Sequence, residues 1–164
     1  MSALSFTPMD HDDFELFWPT FKAIVAEQYT YAIEPDISYQ AAYTLWCETP
    51  KATFAVKDST GELVGSYYLK ANASGPGGHV CNCGYMVTSA ARGKGVARAM
   101  CEHSQTMAQA AGFQAMQFNA VVSTNEVAVA LWQRLGFSIV GTVPKAYRHA
   151  SLGWVDTHVM HKFL

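Results

Sequence analysis

The sequence lacks any long apolar run and any cluster of basic residues. No stretch reaches the ~18 consecutive apolar residues that a membrane-spanning helix needs, and residues 1–10 lack the charged and then apolar order of a secretory signal. The 11 Lys and Arg residues are scattered among 13 acidic residues, so the basic surface that binds nucleic acid is missing. These absences predict a cytoplasmic protein with no membrane partner and no nucleic-acid partner.

Cysteine is sparse, and its spacing does not suggest a disulfide framework or a metal site. The four residues are Cys47, Cys81, Cys83 and Cys101, without the even spacing of a small disulfide-bonded domain. His79, Cys81 and Cys83 would share one face of a strand. They lack Cys-x-x-Cys spacing, however, and no second ligand pair follows. Buried thiols are therefore favoured over a metal site, and we expect no metal.

The composition is that of a compact globular protein. Of the 164 residues, 50% are hydrophobic and 15% are charged, which is typical of a chain that buries a core. No repeat, linker or shift in composition divides the chain. We therefore expect a single domain over residues 1–164.

The first third of the chain predicts a short strand followed by two helices. Asp10 is a typical N-cap residue. Apolar residues then recur at helical spacing: Phe14, Phe17, Phe21, Ile24 and Val25. Pro19 interrupts this pattern, so we expect a kink or a break there. Ser38 is predicted to cap a second short helix that ends near Trp46.

Strands and helices alternate in the rest of the chain. Strands are predicted at 52–56, 63–69, 79–88, 114–121, 137–143 and 155–163, and helices at 95–111 and 125–135. The order β-α-α-β-β-β-α-β-α-β-β has antiparallel hairpins in its first half and a β-α-β crossover in its second half. The predicted fold class is a mixed α+β sheet with about four helices.

A turn with two glycines follows the fourth predicted strand and opens a helix. Gly93 and Gly95 allow a ligand to approach the backbone closely. The N–H groups of a first helical turn have no internal partners, so they favour an anion such as a pyrophosphate. Arg92 and Lys94 add positive charge. An ordinary tight turn with two solvated basic residues is the alternative.

Two motifs resemble the GNAT (GCN5-related N-acetyltransferase) superfamily. Residues 92–97 match its acetyl-CoA signature, Q/R-x-x-G-x-G/A, at every fixed position. Residues 125–137 match N-x-x-A-x-x-L-Y-x-x-x-G-F except that Trp132 replaces the tyrosine. The resemblance extends over the whole chain. It implies the GNAT fold, a mostly antiparallel sheet splayed between strands four and five, and an acetyl-CoA-dependent N-acetyltransferase.

The same resemblance implies a site for the co-substrate acetyl-CoA. Its pantetheine arm would lie in the splay, and a backbone N–H near Val87 would stabilise the oxyanion that develops at the acetyl carbonyl. The implied cofactor-binding residues are Met86, Val87, Thr88, Arg92, Gly93, Lys94, Gly95, Val96, Ala97, Asn125 and Trp132. An indole is no useful acid, so Trp132 cannot replace the tyrosine thought to protonate the leaving thiolate. We expect Trp132 to line the ligand.

Two asparagines stand inside apolar strand patterns, where asparagine is disfavoured. On splayed strands Asn82 and Asn119 would face each other across the acetyl group, so we expect both to be catalytic together with Val87. A β-bulge or a buried amide satisfied by the backbone is the alternative. With Asn125, their spacing is similar to that of the GNAT branch that acetylates the proline analogue azetidine-2-carboxylate.

Acceptor specificity in this family usually resides in the loop after the first helix and in the last hairpin. Tyr31, Glu34 and Arg148 are the candidates there, with Glu34 for an amine and Arg148 for a carboxylate. Solvated surface charges are the simpler interpretation of Glu34 or Arg148 taken alone.

The predicted function is acetylation of a small-molecule amine, such as an amino acid or its analogue, by direct attack. The alternatives are acetylation of a protein or peptide, and a CoA-binding sensor without turnover. Many relatives form homodimers, which makes a homodimer a further expectation.

Overall fold

Seven strands form one sheet in the computed structural model, which describes residues 3–164. They are β1 (Ser5–Pro8), β2 (Ala52–Lys57), β3 (Leu63–Ala71), β4 (Val80–Val87), β5 (Ala115–Val122), β6 (Ser138–His149) and β7 (Gly153–Phe163). Their order in the sheet is β1-β2-β3-β4-β5-β7-β6. Every neighbouring pair is antiparallel except β4 and β5, which are parallel. The predicted mixed sheet is confirmed.

Four helices flank the sheet within residues 3–164, in the predicted order. They are α1 (His11–Glu27), α2 (Tyr39–Tyr43), α3 (Val96–Ala110) and α4 (Glu126–Arg134). A π-helical turn, Thr44–Glu48, extends α2. Among residues 3–164 we find no helix with the length and apolar character of a membrane span.

Helix α1 begins at the predicted cap and continues past Pro19. The Asp10 carboxylate accepts from the Asp13 backbone N–H at 2.8 Å, and the Asp13 side chain accepts from the Asp10 N–H, which forms a capping box. The predicted break at Pro19 is wrong, because α1 is assigned as helix on both sides of it. Proline removes one backbone hydrogen bond from the helix. Phe17 and Phe21, on either side of Pro19, are nevertheless buried in the same hydrophobic cluster.

The sheet separates two hydrophobic clusters. Helices α1 and α2 pack on one side, which we call the α1 face, where Trp46 and Met86 are buried with the phenylalanines of α1. Helices α3 and α4 pack on the opposite side, the α3 face, around Met100, Met116 and Trp132. Because strand residues alternate between faces, the even-numbered residues of β4, such as Met86, point to the α1 face.

Strands β4 and β5 separate soon after they meet. Their pairing comprises Val80 with Ala115 and Cys81 with Met116. Farther along, the register of β5 against β7 shifts between Phe118 and Val121. The predicted splay between strands four and five is therefore present, and it opens a gap beside the second half of β4.

Candidate active site

A cleft of ≈ 1260 Å³ occupies the gap between β4 and β5. Both strands, the loop after α1, the turn before α3 and helix α4 line it. Of the predicted site residues, the structure brings together around this cleft Tyr31, Asn82, Met86, Val87, Arg92, Gly93, Gly95, Val96, Ala97, Asn119, Asn125 and Trp132. It does not place Thr88, Lys94, Glu34 or Arg148 in the lining.

The turn before α3 presents unpaired backbone donors at the mouth of the cleft. Gly93 and Gly95 have φ values of 75° and 80°, a conformation that glycine adopts at little cost. The first hydrogen bond of α3 runs from the Ala99 N–H to the Gly95 carbonyl at 3.1 Å. The N–H groups of residues 95–98 therefore have no partner within the helix, and the positive end of the helix dipole attracts an anion there.

Cationic side chains surround this turn. Arg92 lies 3.9 Å from the Glu27 carboxylate, and both side chains are largely exposed, so the pair is weak and leaves Arg92 available to a phosphate. Arg98 and Arg134 also line the cleft. These two arginines were not among the predicted site residues, although Arg98 stands in the first turn of α3, where a phosphate would bind.

Successive residues of β4 direct their backbone N–H and C=O groups alternately toward β3 and toward the gap. The Thr88 N–H donates to the Val64 carbonyl at 2.9 Å, and the Thr88 carbonyl accepts from the Ala91 N–H at 3.0 Å. Bonding alternates along an antiparallel pair, so Met86 is also bonded to β3, whereas Val87 and Tyr85 turn their N–H and C=O groups toward the gap. Of the three backbones predicted to contact pantetheine, that of Val87 therefore has its polar groups directed at the gap, whereas those of Met86 and Thr88 are directed at groups of the protein.

Tyr31 anchors the loop after α1 to the sheet. Its hydroxyl donates to the Tyr85 carbonyl at 2.6 Å, and its own carbonyl accepts from the Tyr147 hydroxyl at 3.0 Å. Burial raises the pKa of Tyr31 well above its usual value, and it raises the pKa of Tyr85 in the same way. Both phenols therefore keep their protons at neutral pH and act as hydrogen-bonding groups.

Asn82 bridges the two strands where they begin to separate. The residue is 7% exposed, its Nδ2 donates to the Gln117 carbonyl at 2.9 Å, and its Oδ1 accepts from the Tyr68 hydroxyl at 3.3 Å. Since the last β4–β5 pair is Cys81 with Met116, the Asn82 amide takes the place of the next rung of the ladder. This is the buried amide satisfied by backbone that the sequence left open as an alternative.

Asn119 lies in the irregular stretch of β5 and is exposed to the cleft. Its Oδ1 accepts from the Gln117 side chain at 3.0 Å, and its Nδ2 donates to the Asn72 side chain at 2.7 Å. The register shift around Asn119 is the bulge that the sequence also allowed. Asn72, Gln117 and Tyr68 were missed, because strand register alone brings them beside the two predicted asparagines.

Trp132 forms the wall of the gap on the α3 face. It is 8% exposed, and its ring centroid lies 5.2 Å from those of both Tyr85 and Phe118. Asn125 caps α4, since its side chain accepts from the Ala128 N–H at 3.4 Å, while it also lines the cleft. Both residues thus combine a packing or capping role with contact to the cavity.

The charged residues predicted to bind the acceptor point elsewhere. Glu34 is exposed outside the lining, and the Arg148 guanidinium lies 5.9 Å from the exposed Trp154 ring. Alternation along β6 instead directs Tyr147 and His149 inward, where His149 stacks on Tyr29 at 4.6 Å. Glu34 and Arg148 thus lie outside the lining of the cleft. For Arg148 the reason is the alternation of side chains along β6, which local sequence patterns do not establish.

The cysteines are free thiols that do not form a metal site in the described chain. Cys81, Cys83 and Cys101 are buried, and residues 3–164 contain no group of three or more His, Cys, Asp or Glu residues that could hold a metal. Burial raises the pKa of Cys101 to about 11, so this thiol stays protonated and unreactive.

Comparisons with known proteins agree with this geometry. Residues 14–137 match the Acetyltransferase (GNAT) family. The structure of a GCN5-related N-acetyltransferase from Kribbella flavida is 43% identical, with a TM-score of 0.93 over 99% of this chain and 98% of that chain.

Two further relatives are more distant or only partly covered. N-acetyltransferase aca1 of Schizosaccharomyces pombe is 33% identical over 111 residues, which are 67% of this chain but 53% of that protein. The chain thus spans about half the length of this relative. A phosphinothricin acetyltransferase from Sinorhizobium meliloti, solved with acetyl-CoA, is 19% identical with a TM-score of 0.86 over 100% of this chain and 89% of that chain; this likeness shows the fold alone.

Proposed function

Because the chain belongs to the acetyltransferase (GNAT) family, we propose that it transfers the acetyl group of acetyl-CoA to the amine of a small molecule. The acceptor is an amino acid or an amino-acid analogue. One observation carries the proposal: the gap between β4 and β5 places the free backbone groups of Val87 and the anion-binding turn at Gly93 and Gly95 along one cleft.

The residues of the cleft fit the two ends of acetyl-CoA. The N–H groups of residues 95–98, with Arg92 beside them, suit the pyrophosphate. The gap-facing Tyr85 N–H and Val87 carbonyl offer a donor and an acceptor to the amides of the pantetheine arm, as an added strand would. Acetyl-CoA, when bound, supplies the thioester carbonyl that the acceptor amine attacks.

Catalysis in this proposal rests on positioning and on backbone electrostatics. A Val87 N–H directed at the thioester carbonyl stabilises the negative charge that develops as the amine attacks. The amides of Asn82 and Asn119 hold the acceptor, which makes the attack effectively intramolecular. Burial raises the pKa of Tyr31 and of Tyr85, and Trp132 has no acidic proton. The attacking nitrogen therefore loses its proton to water as the C–S bond breaks, and water returns a proton to the leaving thiolate.

The loop after α1 supports a small acceptor over a polypeptide. Tyr31 in this loop is bonded both to β4 and to Tyr147 of β6, so the loop crosses the α1 face of the gap and narrows the groove in which a peptide would lie. The free thiols fit the reducing cytoplasm, which we propose as the location.

Release of CoA thiol from acetyl-CoA with a panel of amino acids, simple amines and peptides tests the proposal. We expect turnover with small amines and acetyl-CoA binding by calorimetry. Acetylation of peptides alone would favour a protein acetyltransferase. Binding without CoA release for any member of the panel would instead support a CoA sensor.

A further inference from the structure

Lys70 is a cation without an acidic partner in the inner part of the cleft. It lies on β3 directly opposite Asn82 of β4, is half-buried and lines the cleft. Its Nζ stands 5.2 Å from the centroid of the Tyr68 ring. The ion pairs found among residues 3–164 do not include Lys70, so its charge is left for a ligand.

The groups around Lys70 are neutral hydrogen-bonding side chains. The register places Lys70, Asn82 and Gln117 in one row across β3, β4 and β5 on the α1 face. Asn82 and Asn119 each use one amide N–H within the protein, and a primary amide has two. Each asparagine therefore has a second N–H to offer.

The acidic residues of the cleft lie at its other end. Glu27 pairs with Arg92 beside the glycine turn, and Glu126 opens α4. Neither neutralises the Lys70 ammonium. A half-buried cation attracts an anion more strongly than an exposed one does, because water screens it less.

We propose that Lys70 binds the carboxylate of the acceptor, so that the enzyme selects α-amino or α-imino acids. The inference rests on the proposed function, because it concerns the acceptor of that reaction. Arg92 belongs to the phosphate end of the cleft, and Arg148 faces away from it. Among the Lys and Arg residues of 3–164 that line the cleft, Lys70 is the one that lies directly opposite Asn82.

Positions along β4 give the scale of an acceptor that reaches from Lys70 toward Val87. The Lys70 Nζ lies over the Tyr68 ring, and this ring covers Gly84, since a Cβ built on Gly84 would come within 2.5 Å of it. From Gly84 to Val87 a strand rises about 10 Å. A hydrogen bond of ~3 Å to the carboxylate and an attack distance of ~3 Å use most of that length. The remainder suits an amine on the carbon next to the carboxylate.

Paired substrates test the role of Lys70. Wild-type protein should acetylate azetidine-2-carboxylate or an L-amino acid with higher kcat/KM than the corresponding primary amide. Lys70→Gln should lower kcat/KM for the acid about 10- to 100-fold, mainly through KM, and leave the amide unchanged. Lys70→Arg should retain most of the preference. Lys22→Gln, which removes an exposed charge on α1, is the matched control and should behave as wild type.

The outcomes separate this inference from the proposed function. Three outcomes would overturn the role of Lys70 while leaving the acetyltransferase function intact. They are an equal loss of kcat/KM for acid and amide in Lys70→Gln, no loss for the acid in that variant, and acetylation of the amides alone by the wild type. Absence of CoA release with every acid and amide, from protein that binds acetyl-CoA, would overturn the proposed function and this inference together. Unchanged acetyl-CoA affinity in Lys70→Gln, measured by calorimetry, shows that the variant is folded.

Discussion

The Tyr31 hydroxyl donates a 2.6 Å hydrogen bond to the main-chain carbonyl of Tyr85. The strand register turns that carbonyl toward the gap between β4 and β5. Tyr147 in turn bonds the Tyr31 carbonyl. The loop on the acceptor side of the cleft is therefore held by the strand proposed to bind acetyl-CoA and by the last hairpin.

Removing the Tyr31 hydroxyl should loosen this loop. Tyr31→Phe should lower the free energy of unfolding by about 1 kcal/mol and raise the acceptor KM several-fold, with little change in acetyl-CoA affinity. Urea unfolding, steady-state kinetics and calorimetry measure the three quantities. Tyr43→Phe is the control, because Tyr43 at the end of α2 lies outside the lining of the cleft. A large loss of acetyl-CoA affinity with an unchanged acceptor KM would contradict the assignment.

A bulky residue at Gly95 should abolish acetyl-CoA binding. Gly95→Val places a branched side chain where the pyrophosphate would approach the backbone, at a φ of 80°. Gly61→Val provides the matched control, since Gly61 has a φ of 84° in the β2–β3 turn with open space around it. Both variants carry similar backbone strain, so a loss of affinity confined to Gly95→Val identifies the phosphate site. Unchanged affinity in folded Gly95→Val would rule it out.

Much of the fold follows from local patterns in the sequence. The spacing of buried residues from Phe14 to Val25 predicts α1 because a helix places every third or fourth residue on one face. The break allowed at Pro19 does not occur, because the core packs against α1 on both sides of it, and local rules do not include that packing. Strands β6 and β7 are longer than predicted because β6 is almost wholly exposed, which removes the alternating apolar signal at its end.

Motifs and unusual residue types predict only part of the candidate site. The glycines at 93 and 95 and the asparagine at 125 belong to contiguous patterns, and Asn82 and Asn119 stand out as polar residues in apolar strands. Lys70 and Tyr85, in contrast, owe their positions to strand register and to the splay. Those are long-range properties: the Tyr31–Tyr85 contact spans 54 residues, a separation that local patterns do not encode.

Replacing Trp132 should affect stability more than chemistry. Its ring fills the wall beside Tyr85 and Phe118, so Trp132→Phe should cost roughly 1–3 kcal/mol of stability. Since indole supplies no proton, kcat should stay within several-fold of wild type. Thermal unfolding and kinetics at saturating acetyl-CoA test this. A drop of several orders of magnitude in kcat, with fold and KM intact, would contradict it.

Protonation of His103 should destabilise the protein. Its Nδ1 lies 2.7 Å from the Tyr67 hydroxyl, and its ring stacks on Phe6 at 4.1 Å. Burial raises the pKa of Tyr67, so the phenol donates and Nδ1 must accept, while burial lowers the pKa of His103 below its usual 6.5. The unfolded chain then binds this proton more readily. The contribution is fully present above about pH 6.5 and is lost as the pH falls through the lower folded value.

Urea unfolding at neutral and mildly acidic pH measures this dependence. His103→Gln removes the titrating group, so its stability should fall less than that of wild type as the pH is lowered from 7.5 to 5.5. His79→Gln, at an exposed histidine, should retain the wild-type dependence. An identical pH dependence in wild type and His103→Gln would refute the assignment.

The two asparagines should respond differently to alanine, because their hydrogen bonds differ. Asn82 is buried and holds the Gln117 carbonyl, so Asn82→Ala leaves that carbonyl and the Tyr68 hydroxyl without a partner and should cost about 1–3 kcal/mol of stability. Asn119 is exposed and bonds only side chains. Asn119→Ala should leave the melting temperature nearly unchanged.

Activity separates a structural role from a catalytic one. If Asn119 holds the acceptor or polarises the carbonyl, Asn119→Ala lowers kcat/KM for the amine by about one to three orders of magnitude, as expected for a donor directed at developing charge. Asn82→Ala should lose activity to a similar extent even at a temperature where it is fully folded. Normal turnover by both folded variants would mean that the two amides have a structural role only. The bond from Asn82 to the Gln117 carbonyl is such a role, because it joins β4 to β5. Acceptor binding would then rest on Lys70 and on the Tyr31 loop, which line the same cleft.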